Sequence, residues 1–249
     1  MSQQATLSLD DAPDSTPTVV LAFVALLVGH TVVDALAAFV PSSLGLLELR
    51  VGMTPEQSAW LMGLGPLVSG LSQPLCALVS DRQQNRIWGV LGLALSGIAM
   101  CSLGLAGSFG SLVALYFVAV VGVGMFHPVA ATTVGFLQQH RRNSAVSLFF
   151  VCGMLGGVLG AFVWPRFLTS SNGFDYLPIF MLPVLLLALV TQRSLTQVAP
   201  PKADREDLNK PAISRASWVN IGFLYVAACL RFCVHTALFY LFVRWTQSL

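Results

Sequence analysis

The chain has 249 residues, 55% of them apolar and only 10% charged, with 13 Lys and Arg against 11 Asp and Glu for a net charge of +2. Its mean hydropathy is +0.76. A soluble domain carries about 25% charged residues to cover its surface, so this composition excludes an ordinary water-soluble domain and makes lipid the expected solvent. The small net charge gives no support to a nucleic-acid partner.

Residues 1–17 hold Asp10, Asp11, Asp14, Pro13 and Pro17 and no Lys or Arg. A secretory leader needs a basic stretch before its apolar core, so this segment reads as a cytoplasmic tail. Seven apolar stretches long enough to cross a hydrocarbon core about 30 Å thick follow. They run about Val19 to Leu47, over-long and with Pro41 able to kink its outer end, then Ser58 to Val79, Ile87 to Leu105 and Leu112 to Leu137. Val146 to Leu168, Phe174 to Gln192 and Val219 to Val243 complete the set. The expected fold is therefore an all-α polytopic membrane protein of about seven transmembrane helices. The five cysteines, at 76, 101, 152, 229 and 233, all lie inside these stretches and read as small hydrophobes rather than disulfide or zinc partners.

Orientation follows from where the cations lie. With the N-terminus inside, the inner links hold Arg82, Arg86, Arg141, Arg142, Arg193, Lys202, Arg205, Lys210 and Arg215, and the outer side holds Arg50, Arg166 and Arg244. Nine against three predicts a multi-pass protein of the inner (plasma) membrane with a cytoplasmic N-terminus and an external C-terminus. The link over 193–217 is Pro-rich and carries mixed charge, and is the one domain boundary expected: a tail over 1–17, six helices over 18–192, the linker, and a further helix over 218–249.

Ionisable groups at bilayer depth are costly and usually face a bundle interior or a wet cavity. Here they fall in spans one, four and seven: His30 with Asp34, His127 beside Pro128, and Arg231 with His235. Both pairs sit four residues apart and so share a helical face. One, four and seven are the first helices of successive three-helix units, the repeat size of many secondary transporters. Asp34 with His30 can hold and release a proton. Arg231, permanently charged, suits either a counter-ion to Asp34 or an anchor for an anionic substrate group. His127 and His235 complete the expected cavity set.

In span five Gly153, Gly156, Gly157 and Gly160 fall at i, i+3, i+4 and i+7, a smooth stripe that admits close helix packing or sliding. Between spans two and three, Ser80-Asp81-Arg82-Gln83-Gln84-Asn85-Arg86 forms a tight inner turn in which Asp81, Arg82 and Arg86 can clamp a neighbouring helix as a cytoplasmic gate.

These residues resemble the major facilitator superfamily. The turn, with Ala77, Asp81, Arg82 and Arg86, resembles that family's loop signature between helices two and three, with Ala for the leading Gly and Gln84 for the second. The glycine stripe is similar to the fifth-helix motif of drug:proton antiporters, without its proline. Gly29-His30 with Asp34, the run Gly122-Val123-Gly124-Met125-Phe126-His127-Pro128, and Arg231 resemble the fosmidomycin-resistance branch of efflux proteins. The resemblance covers about residues 19 to 245. It implies two six-helix halves of inverted three-helix repeats, twelve helices in all, with helices one, four, seven and ten lining the cavity. This chain would supply one half, the linker and the first helix of the other, as a truncated or partial chain or one completed by a separate polypeptide.

The expected function is a proton-coupled secondary transporter exporting a small organic compound, with the lipid bilayer, protons and a small-molecule substrate as partners. The alternatives are an importer or facilitator of an anionic metabolite held by Arg231, and a non-transporting half that pairs with another chain. A membrane-embedded metal enzyme using His30, Asp34, His127 and His235 is disfavoured: there is no His-Glu-x-x-His and no Gly-x-Ser-x-Gly. No cofactor and no resident metal are expected.

Overall fold

The computed structural model describes residues 16–83, 86–170, 172–198 and 215–247. Among them the regular structure is helical throughout, as the composition requires: in hydrocarbon a helix satisfies every backbone N–H and C=O within one segment. Ten helices are described: α1 Pro17–Ala37, α2 Phe39–Ser42, α3 Leu44–Val51, α4 Pro55–Gln83, α5 Ile87–Cys101, α6 Phe109–Leu137, α7 Arg142–Leu168, α8 Gly173–Tyr176, α9 Met181–Thr196 and α10 Arg215–Gln247. Among the described residues, six helical segments are long and apolar enough to cross a membrane: Pro17–Ser42, Pro55–Gln83, Ile87–Leu105, Phe109–Leu137, Gln139–Leu168 and Gly173–Thr196. These match the first six expected spans. The seventh also forms a helix, α10, whose apolar run Ser217–Arg231 is shorter than the others.

Helix ends follow local chemistry. Thr16 caps α1 by accepting from the Val19 amide at 3.4 Å, with Pro17 in the first turn where its missing N–H costs nothing. Ser108 and Ser111 form a capping box at the start of α6. The first span is jointed rather than merely kinked. α1 stops at Ala38, α2 occupies one turn containing Pro41, and α3 starts after Ser43 and closes on Gly52 at φ 66°. The sixth span is also broken, into α8, a 3-10 turn over Leu177–Phe180 that carries Pro178, and α9. It is entered through Asn172 in the left-handed region at φ 62°.

The packing pairs helices from different three-helix groups. α1 lies along α7, α6 along α4, and α5 along both α6 and α9, with α9 returning to α1. First and fourth spans thus hold corresponding places, each embraced by the middle helix of the other group. Close approach depends on glycine. A Cβ on Gly92 would come within 2.6 Å of the Gly122 carbonyl, and one on Gly122 within 2.6 Å of the Ser96 amide, so α5 and α6 cross backbone to backbone. Outward faces of α4, α7 and α9 carry exposed Leu, Val, Phe and Met, as a lipid-facing surface does. Residues 1–15 of the expected tail and 199–214 of the expected linker lie outside the described residues.

Candidate functional site

Three of the singled-out side chains meet in the interior of the helical bundle. His30 and Asp34, one turn apart on α1, place Nε2 and Oδ2 3.3 Å from each other. His127 on α6 brings its Nε2 to 3.0 Å from the other carboxylate oxygen, Oδ1. One carboxylate therefore sits between two imidazoles on two helices. The His30 side chain is 2% exposed, against 26% for Asp34 and 19% for His127, so the cluster is sealed at one end and open at the other.

Each ring is fixed by its second nitrogen. His30 Nδ1 donates to the Phe149 carbonyl of α7 at 2.7 Å, and His127 Nδ1 donates to the Val123 carbonyl one turn back in α6 at 2.8 Å. The carbonyls can only accept, so both imidazoles carry hydrogen at Nδ1 and turn Nε2 towards Asp34. Aromatic rings complete the setting: Phe149 stacks on His30 with centroids 3.8 Å apart, His127 meets it edge-on at 4.8 Å, and Phe126 lies at 6.1 Å. Donor atoms of the three polar residues lie within 4.8 Å of one another, compact enough to share one cationic charge. The contacts present are direct imidazole–carboxylate ones.

The stripe on α7 explains how α1 comes so near. Gly153 lies against His30 and Asp34, where a Cβ would press on both side chains; Gly156 lies against the Thr31 backbone and Gly160 against Ala35. Gly157 faces open space, with nothing within 4 Å of a Cβ placed there. Three inter-helix hydrogen bonds hold the register: His30 to the Phe149 carbonyl, the Thr31 hydroxyl to the Cys152 carbonyl at 3.1 Å, and the Trp164 indole to the Ala35 carbonyl at 2.5 Å.

The other expected residues lie apart. Arg231 is exposed on α10, a helix that packs against α4, where Tyr225 donates to the Gly70 carbonyl at 3.1 Å. Among the described residues, the ionic partners of Asp34 are His30 and His127. His235 is in the same helix, and its side chain lies outside the described residues. Asp81 and Arg82 are exposed at the end of α4, while Arg86 stacks over the Phe136 ring of α6 at 4.7 Å. Burial holds the Arg86 guanidinium below its ordinary value without neutralising it.

Phe149 is the site residue that sequence reasoning missed. Its signal was available: it stands four residues before Gly153, on the same face as the stripe. Its carbonyl contact to His30, 119 residues away, has no local signature.

Known proteins share sequence with this chain. Fosmidomycin resistance protein of Escherichia coli (strain K12) is 26% identical over 189 residues, covering 75% of this chain and 45% of that protein. The uncharacterized MFS-type transporter YfnC of Bacillus subtilis (strain 168) is 23% identical over 145 residues, covering 58% of this chain and 36% of its own length. The chain thus spans less than half the length of these curated relatives. The family model for the Major Facilitator Superfamily matches residues 19–249, nearly the whole sequence, and the chain belongs to that family of membrane transporters.

Proposed function

We propose that this polypeptide is part of a proton-coupled secondary transporter that exports a small organic compound, with the His30–Asp34–His127 cluster as its proton site. The observation that carries the reading is the carboxylate held between a buried imidazole on the first span and a half-buried one on the fourth, open on one side. Protonatable groups at bilayer depth serve relays and ion pathways in transporters, because burying them otherwise costs several kcal/mol, of order 2.5–3.5 for an acidic residue at a helix centre. The name of the Escherichia coli relative, a resistance protein, supports efflux over import and makes fosmidomycin the first substrate to try.

The cation asymmetry supports an N-terminus on the cytoplasmic side of the inner membrane. His127 stands beside Asp34 on the open side, where a substrate would arrive. Arg231 and His235 then belong to the facing wall, which α10 reaches when the bundle is completed by a further helical unit, in the same polypeptide or a separate one. Asp81, Arg82 and Arg86 serve as the inner gate.

The test is a vesicle assay. In everted vesicles carrying a complete, homologous transporter with the same His, Asp and His, added fosmidomycin collapses a preformed pH gradient, and the Asp34→Asn equivalent abolishes that collapse. Equal proton-dependent flux in the neutralised variant overturns the proton assignment. Counterflow that ignores pH, with accumulation of carboxylates or phosphates, favours the importer of an anionic metabolite instead.

A further inference from the structure

The cluster specifies how many protons it holds as well as where they go. Both imidazoles spend the Nδ1 hydrogen on a backbone carbonyl, Phe149 at 2.7 Å for His30 and Val123 at 2.8 Å for His127. A neutral imidazole so arranged has a bare lone pair on Nε2. Nε2 of His127 meets Asp34 Oδ1 in hydrogen-bonding geometry at 3.0 Å, Nε2 of His30 lies 3.3 Å from Oδ2 in ion-pair contact, and an ionised carboxylate also offers only lone pairs.

With no further proton, both contacts set lone pair against lone pair in a poorly solvated place. One proton relieves one contact and leaves the other. Two protons satisfy both, with the carboxylate bridging two imidazoliums. The charge of the cluster runs from −1 when empty, through zero, to +1 when filled. Among the described residues, nothing else on the surrounding helices supplies the missing positive charge. The titratable groups on the elements against α1 are Cys101 on α5, Tyr116 on α6, Cys152, Arg142 and Arg166 on α7, and Arg193 on α9. Among the described residues none of these forms a hydrogen bond or ion pair with His30, Asp34 or His127.

We propose that His30, Asp34 and His127 form a two-proton site, filled and emptied as a unit, so that one transport cycle exchanges two protons rather than one. This rests on the proton-coupled reading above. The α7 carbonyl is the positioning device: by occupying Nδ1 of His30 it makes Nε2 the only nitrogen that takes up and gives back a proton. Atoms balance simply, since each proton enters from water, forms an N–H bond at an Nε2, and leaves to water by the same bond. No covalent intermediate or redox partner is involved.

Nitrogen NMR of the purified full chain, labelled with 15N-histidine in detergent micelles and titrated from about pH 9 to 4, tests this directly. The chain has four histidines, at 30, 127, 140 and 235. At the alkaline end at least two of them are expected to show hydrogen on Nδ1 and a bare Nε2. On acidification those two gain an Nε2 proton while Nδ1 stays protonated. His30→Gln and His127→Gln assign the signals, and each is expected to lower the uptake of the cluster from two protons to one. A wild-type spectrum in which fewer than two histidines have the Nδ1–H form overturns the proposal, as does uptake of a single proton by the assigned pair. Because no flux is measured, the two readings fail separately. Two bound protons with pH-independent transport sinks the coupling, and one bound proton with intact coupled transport sinks the count.

Discussion

At Gly153 packing and chemistry meet in one residue. A methyl group there would push His30 and Asp34 aside, whereas Gly157, one turn along the same sequence stripe, faces open space. Overpacking a tight interface costs about 1–3 kcal/mol, while Gly→Ala at an unobstructed helical position gains about 0.5–1 kcal/mol. Thermal denaturation in detergent is therefore expected to show Gly153→Ala less stable than wild type and Gly157→Ala equal or slightly more stable. Equal behaviour of the two variants would show that α7 does not touch α1 as described. For Asp34→Asn the expected outcome is loss of at least about tenfold of proton-dependent flux, about 1.4 kcal/mol or more of lost coupling, with folding retained in size-exclusion profiles. The polar members of the site were legible in the sequence because charge in an apolar helix is conspicuous. Their arrangement was only half legible. His30 and Asp34 share a face by spacing alone, but that His127 joins them, and that Arg231 lies apart, depends on which helices pack together, and no local pattern encodes that.

The element that organises the bundle is the α1–α7 pair. Sequence alone left its glycine stripe open between packing and sliding. Three hydrogen bonds, from His30, Thr31 and Trp164, hold the two helices in register in this structure. Gly160→Ala is expected to lower the denaturation temperature in detergent, since its Cβ would press on the Ala35 backbone of α1. At the other crossing, Gly122→Ala is expected to lower the denaturation temperature, since its Cβ would meet the α5 backbone. Span existence was readable because about 20 apolar residues in a row have few other uses. Joints at Ala38 and Ser43 and the turn at Pro178 were less so: Pro41 marked the first region, but a proline signals a break without fixing where the helix resumes.

For the molecule as a whole, the proposed orientation makes a labelling prediction. Single cysteines at Gly107 and at His140, both exposed at opposite helix ends in a background lacking the native five, are expected to react with a membrane-impermeant thiol reagent from opposite sides of intact cells. Residue 107 should be labelled from outside and residue 140 only after the membrane is opened; the reverse result would invert the topology.

The broken first span has a mechanical corollary. α1 is bolted to α7, whereas α3 is tethered elsewhere: Arg50 donates to the Gly104 carbonyl at 3.1 Å, pairs with Asp175 at 3.6 Å and lies over the Phe174 ring at 5.1 Å. The two ends of a single span thus answer to different neighbours, and the short turn α2 between them is itself anchored on α7, with Phe39 edge-on to Trp164 at 5.5 Å. A tilt imposed on α3 is therefore expected to pass through α2 to α7, the helix whose Phe149 carbonyl fixes the His30 ring.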